Sequence, residues 1–133
     1  MSAESLTYLD SSAIVKLAAA EPESAALRQF LRRRHRLASS ALARTEVLRA
    51  LMEDGPVAVR RGREVLQKIS LIRITDWVLN LAGELKPVEL RSLDAIHLAT
   101  AQLLGNKLGR VVTYDQRLAA GARAHGMRVS SPS

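Results

Sequence analysis

Four acidic residues stand where this chain could do chemistry: Asp10, Glu46, Asp94 and Asp115. Asp10 closes the extended run Leu6 to Leu9, and Asp115 follows the run "GRVVT" that ends at Thr113. Asp94 falls in the first turn of the helical stretch "SLDAIHLATAQLLG", and Glu46 lies in the helix predicted over Ala41 to Glu53. In doubly wound sheets ligands bind beyond the carboxyl ends of the strands, so acids at these positions are the ones to weigh. Each has an ordinary structural reading. Asp10 and Asp115 suit helix N-caps, Asp94 suits the positive end of a helix dipole, and Glu46 could pair with Arg49 one turn on. Glu46 nevertheless borders the apolar stripe of Ala41, Thr45, Leu48 and Met52. Taken together they demand more. At ~5 Å and an effective dielectric near 20, each pair of ionised carboxylates repels by about 3 kcal/mol, a cost that a divalent cation removes. Oxygen donors in a chain without cysteine select Mg²⁺ or Mn²⁺, ions that also hold phosphate oxygens. A basic protein with such a site is expected to bind and cut a phosphodiester.

The elements that must position these acids alternate between short extended runs and longer helical stretches, which predicts an α/β fold with a parallel sheet. After Leu6 to Leu9, "SSAIVKLAAAE" reads as a helix up to Pro22, and Glu23 to Arg34 as the next. A short strand at Leu37 to Ala38 precedes Ser39 and Ser40, either of which can cap the helix from Ala41. Gly55 and Pro56 break that helix from the next, because glycine tolerates a left-handed backbone and proline suits a first helical turn. "SLIRIT" predicts a third strand, Trp77 to Leu85 a helix, and Ser92 a cap for the buried helix Leu93 to Leu104, which Gly105 terminates. "GRVVT" is the fourth strand, Asp115 to Ala124 a helix stopped by Gly126, and "MRVS" a short last strand.

Length and composition bound the rest. A chain of 133 residues with 47% hydrophobic and 25% charged residues suits one folded domain over 1–133, with no second catalytic domain. Without cysteine there is no disulfide framework and no thiolate site. The net charge of +7 comes from 20 cations against 13 acids, all but four of the cations being arginine, which points to an anionic partner held through phosphate forks. Only Tyr8, Phe30, Trp77 and Tyr114 are aromatic, too few for a base-stacking platform, so nucleic acid is expected to be held by its backbone. Arg32, Arg33, Arg34 and Arg36, and then Arg60, Arg61 and Arg63, form two basic groups, each either a solvated helix end or a phosphate track. The start "MSAESLTYLDSS" carries no signal region and no apolar run is long enough to span a membrane, so a cytoplasmic protein with no membrane association is expected.

The segments "YLDSSAIVKL", "SSALARTEVLRAL", "LRSLDAIHLATAQLLG" and "VVTYDQRLAAGARAHG", in that order, resemble the PIN-domain ribonucleases and most closely the VapC-type toxins of toxin–antitoxin pairs. The resemblance runs from Leu6 to Val129. It implies a three-layer α/β/α PIN-like domain with a central parallel sheet of four to five strands, and Mg²⁺-dependent endonucleolytic cleavage of RNA with Mn²⁺ as a possible substitute. On that likeness Asp10, Asp94 and Asp115 would be metal ligands, and Glu46 would position or deprotonate the attacking water. Ser12 and Thr113 would support them through hydrogen bonds, with turn capping as their ordinary reading. A cognate antitoxin and a homodimer are the implied protein partners.

A housekeeping PIN nuclease of RNA processing shares every residue of the site, and only toxicity on expression and a small upstream partner gene would distinguish it. Other readings fit less well. A phosphate-responsive receiver would bring two adjacent acids after the first strand, but Asp10 is followed by Ser11 and Ser12. A dehalogenase-like phosphatase wants a second Asp where Ser12 stands, and a purely nucleic-acid-binding module leaves the four acids unexplained. No phosphate-cradling glycine loop or nucleophile elbow occurs. His97, three residues after Asp94, reads as a packed, hydrogen-bonded histidine rather than a ligand, and His35 and His125 as solvent-exposed.

Overall fold

The computed structural model describes residues 5–133. Strands β1 (Leu6–Leu9), β2 (Leu37–Ser40), β3 (Ser70–Ile72), β4 (Leu108–Val112) and β5 (Val129–Ser130) form one parallel sheet in the order β3-β2-β1-β4-β5. β1 is therefore central, with its sequence successors β2 and β3 on one side and β4 and β5 on the other. The direction of winding changes beside β1, and there the crevice at the carboxyl ends of the strands opens.

Alternation along β1 and β4 decides what covers each face, since neighbouring residues of a strand point to opposite sides. Leu9 and Val112, paired across the two strands, pack with Ala13, Ile14, Val47 and Leu51. Tyr8 and Val111, also paired, pack on the other face with Ala38 and Ala101. Helices α1 (Ser11–Ala18), α2 (Ser24–Leu31), α3 (Ala43–Leu51) and α4 (Pro56–Gln67) contribute to the first cluster. α6 (Ser92–Leu103) covers the second, with α5 (Asp76–Glu84) and α7 (Gln116–Ala124) packed beside it. The expected three-layer α/β/α architecture results, with five strands.

Several boundaries differ from those read in the sequence. α1 ends at Ala18, well before Pro22, because Ala19 turns extended and Ser24 Oγ donates to its carbonyl at 2.9 Å. α2 is also shorter than Glu23 to Arg34. Ser39 and Ser40 are strand residues, paired with Leu71 and Ile72, so α3 starts at Ala43; Ser40 Oγ still accepts from Leu42 N at 3.1 Å. The predicted third strand stops at Ile72, and Thr75 instead caps α5, its Oγ1 accepting from Val78 N at 3.3 Å. Ser92 does not cap α6. The chain enters extended at Arg91, which occupies the cap position without a side-chain bond, so Ser92 is already helical and the acid at Asp94 faces the positive helix end.

Gly55 adopts φ +91° and Pro56 opens α4, as expected for that pair. Gly62 lets α4 approach α3 closely: a Cβ there would lie 2.5 Å from Leu51 Cδ1.

Candidate active site

Asp10 follows β1 directly and caps α1, so its carboxyl group belongs to the sheet edge and the helix start at once. It is buried at 4% exposure. Oδ1 accepts from Ser12 Oγ at 2.7 Å and from Ala13 N at 3.0 Å, and Oδ2 accepts from Thr113 Oγ1 at 2.6 Å. Those hydroxyl protons have a forced direction. Tyr114 N donates to Ser12 Oγ and Asp115 N donates to Thr113 Oγ1, both at 3.0 Å, so each hydroxyl accepts from the backbone and gives its proton to Asp10. Burial pushes the Asp10 pKa above its usual value, and the hydroxyls of Ser12 and Thr113 counter only part of that rise.

Asp115 caps α7, its Oδ1 accepting from Arg117 N at 2.8 Å and Leu118 N at 3.1 Å. Capping is thus its local role as well as that of Asp10. Beside Asp115 lies a cavity of about 360 Å³ lined also by Tyr114, Gln116, Ala119, Arg123 and Ser131. Asp94 projects from the first turn of α6 into the same electrostatic field. Burial raises its pKa first, and the negative charges of Asp115 and Asp10 raise it further. The mutual repulsion expected of clustered acids is therefore felt at Asp94.

Glu46 is held differently. Its Oε1 accepts from Ser11 Oγ at 2.5 Å and from His97 Nε2 at 2.7 Å, rather than pairing with Arg49 as its ordinary reading allowed. Burial alone would raise its pKa, but the bonds from His97 and Ser11 hold it below the usual carboxylate value. Among the described residues no three acidic or His side chains are close enough to hold one ion directly, so the four acids do not form the single tight cluster assumed at ~5 Å. The structure brings Asp10, Asp94 and Asp115 into one field and ties Glu46 to it through α6.

His97 is buried at 3% exposure and engaged at both ring nitrogens. Tyr8 Oη lies 2.7 Å from Nδ1, and burial, followed by the Asp10 charge, pushes the Tyr8 pKa far up, so the phenol keeps its proton. The ionised Glu46 can only accept, which puts an imidazole N–H on Nε2; in the neutral ring Nδ1 then accepts from the Tyr8 hydroxyl. Tyr8 and Ser11 are site residues that the sequence reading did not single out. The available signal was a tyrosine inside the extended run Leu6 to Leu9, whose hydroxyl needs a partner once that run is buried.

His35 is exposed, whereas His125 is partly buried and its Nε2 bonds the Lys86 carbonyl at 2.7 Å. Arg34 is not a free phosphate contact: its Nη1 donates to Phe30 O at 2.8 Å and its guanidinium lies 4.0 Å from the Phe30 ring centre. Arg60, Arg61 and Arg63 are exposed on α4.

Residues 7–124 match the PIN domain family. Over 126 residues, 95% of this chain and 97% of the relative, the sequence is 60% identical to ribonuclease VapC46 of Mycobacterium tuberculosis. It is 39% identical over 132 residues to ribonuclease VapC47 of the same species, covering 96% and 97% of the two chains. Among solved structures, the fold matches that of M. tuberculosis VapC20, a Sarcin-Ricin loop cleaving toxin, with a TM-score of 0.72 at 14% identity over 86% of this chain and 93% of that one. A toxin–antitoxin complex from Klebsiella pneumoniae gives a TM-score of 0.72 at 24% identity, covering 96% and 98%.

Proposed function

The chain belongs to the PIN-domain family and, within it, to the VapC ribonucleases, and from that premise we propose that it is a divalent-cation-dependent endoribonuclease whose catalytic residues are Asp10, Glu46, Asp94 and Asp115. The observation that carries this reading is the buried Asp10 carboxylate, clamped by Ser12 and Thr113 at the centre of the sheet edge while Asp94 feels the charges of Asp115 and Asp10. Burial opposes the ionisation of Asp10, and burial together with the Asp115 and Asp10 charges opposes that of Asp94, so these oxygen donors fit a hard divalent cation such as Mg²⁺, which keeps several of its waters.

Asp10, Asp94 and Asp115 would hold Mg²⁺, or Mn²⁺ in its place, in part through water. When bound, such an ion supplies positive charge to a scissile phosphate and lowers the pKa of a coordinated water. Ser12 and Thr113 keep Asp10 oriented. Glu46, ionised at neutral pH, orients or deprotonates the attacking water. The exposed arginines supply attraction for the RNA backbone.

The whole chain, 1–133, acts as one PIN domain and as the toxin of a toxin–antitoxin pair. An amphipathic acidic antitoxin segment suits the groove of about 510 Å³ lined by the apolar Leu48, Leu66, Ile69 and Leu71 and by Arg44 and Arg63. A cytoplasmic location and a homodimer belong to the same reading. Among the described residues no helix is long and apolar enough to cross a membrane.

The test is RNA cleavage by purified protein in Mg²⁺, Mn²⁺ or EDTA, with Asp10→Asn and Asp94→Asn alongside. Activity should vanish in the chelator and in both variants while their circular dichroism stays native. Undiminished cutting by the folded variants would overturn the assignment.

A further inference from the structure

The nuclease reading uses Glu46 but gives no part to the buried side chains that hold it. Tyr8 on β1, His97 on α6 and Glu46 on α3 form one unbroken line of 2.7 Å contacts, and Ser11 at the start of α1 joins it at Glu46. Tyr8 is fully buried and His97 nearly so, and turning the imidazole would break its bonds at both nitrogens together. A neutral imidazole has a single N–H. The Glu46 carboxylate can only accept, so that hydrogen is on Nε2, and Nδ1 is left to take the Tyr8 hydroxyl proton. Both donors, His97 Nε2 and Ser11 Oγ, meet Glu46 on the same atom, Oε1. Oε2 is then the oxygen that can address a water.

Resting on the nuclease reading above, we propose that His97 is a positioning residue for Glu46, locked by Tyr8 in the Nε2–H tautomer so that it pins Oε1 and aims Oε2 at the attacking water. Tyr8 acts through His97, and Ser11 is the second pin. A base held this way meets its proton without reorganising, whereas a free glutamate side chain samples many rotamers. His97 touches neither RNA nor metal in this scheme, so its removal should affect turnover and leave substrate binding alone.

Cleavage of a fluorophore–quencher oligoribonucleotide that the wild type cuts, in Mg²⁺, separates the possibilities. His97→Asn keeps a carbonyl for Tyr8 but cannot reach Glu46, and it should lower kcat by about 10–100-fold with KM unchanged. His97→Gln sets an amide N–H near the position of Nε2 and should recover most of that loss. A His97→Asn variant that turns over like the wild type, or Asn and Gln variants that fall together in step with lost folded protein, would overturn the proposal. Long-range ¹H–¹⁵N NMR of the wild-type histidines tests it without any variant: His97 should carry a proton on Nε2 only, and a proton on Nδ1, alone or together with one on Nε2, would refute the lock. Asp10→Asn and Glu46→Gln complete the set. If both are inactive and His97→Asn is unimpaired, only the positioning role falls; if Glu46→Gln also cuts at the wild-type rate, the reading of the site falls and the positioning role with it.

Discussion

Thr113 Oγ1 donates to Asp10 Oδ2 across 2.6 Å, joining residues 103 apart in sequence. The bond is directed by a third group, since Asp115 N donates to the same hydroxyl and so turns its proton toward Asp10. One side chain at the end of β4 thereby fixes the carboxyl group at the end of β1 and the backbone that leads into α7. Ser12 repeats the device from the other side, accepting from Tyr114 N and donating to Asp10 Oδ1.

Replacing Thr113 tests that arrangement. Thr113→Val keeps the shape but leaves a buried carboxylate oxygen and the Asp115 N–H without their partner, at a cost of about 1–3 kcal/mol. Thr113→Ser restores the hydroxyl. Urea denaturation should show the valine variant destabilised by that amount and the serine variant close to wild type, with cleavage activity following the same order.

Glu46 predicts a pH dependence with a definite sign. Its folded pKa lies below the ordinary 4.5 because His97 and Ser11 hydrogen-bond the carboxylate against the effect of burial. The folded state therefore binds fewer protons here than the unfolded chain. The stability this contributes is complete above 4.5 and is lost as the pH falls through the lowered folded value. Glu46→Gln should remove that part of the acid limb, so the gap in melting temperature between wild type and variant should narrow as the pH falls below 4.5. An acid limb unchanged by Glu46→Gln would contradict the assignment of these bonds.

Asp94 runs the other way. Its folded pKa is raised above 3.8 by burial and by the charges of Asp115 and Asp10, so its ionisation opposes folding once the pH rises through that value. In EDTA at pH 7, Asp94→Asn should melt at a higher temperature than wild type. Added Mg²⁺ should reverse the order, because an ion bound only by the folded state stabilises it by about 2.7 kcal/mol at a hundredfold excess over Kd. Differential scanning fluorimetry across a Mg²⁺ series reads both effects. Equal Mg²⁺ shifts in wild type and variant would show that Asp94 does not hold the ion.

Much of this was legible because the informative residues act locally. Asp10 and Asp115 end extended runs and begin helices, and each caps the helix it precedes. The Gly55–Pro56 pair marked a break that φ +91° requires. What escaped depends on residues distant in sequence. Ser39 and Ser40 carry turn chemistry, yet pairing with Leu71 and Ile72 draws them into β2. Ser92 has the side chain of a cap, but the extended entry at Arg91 moves the helix start one residue earlier. Tyr8 and His97 lie 89 residues apart, and nothing in either neighbourhood announces their bond. Local spacing offers Glu46 a partner one turn away at Arg49, whereas the fold supplies His97 from α6.

The two readings of Asp115 can be separated with a pair of substitutions. Asparagine caps a helix about as well as aspartate, whereas alanine does not, and losing such a cap costs roughly 0.5–2 kcal/mol. Asp115→Asn should thus preserve the bonds to Arg117 N and Leu118 N and melt near wild type, while Asp115→Ala should lose stability in that range. If the carboxylate serves only as a cap, the asparagine variant will cut RNA normally. If its charge helps to hold a divalent cation, both variants will lose activity alike, and a higher Mg²⁺ concentration will recover part of it in the asparagine variant first, because its amide oxygen can still accept a metal or one of its waters. Thermal melts and Mg²⁺-dependent cleavage on the same two proteins give the answer, since fold stability and activity should part company in Asp115→Asn alone.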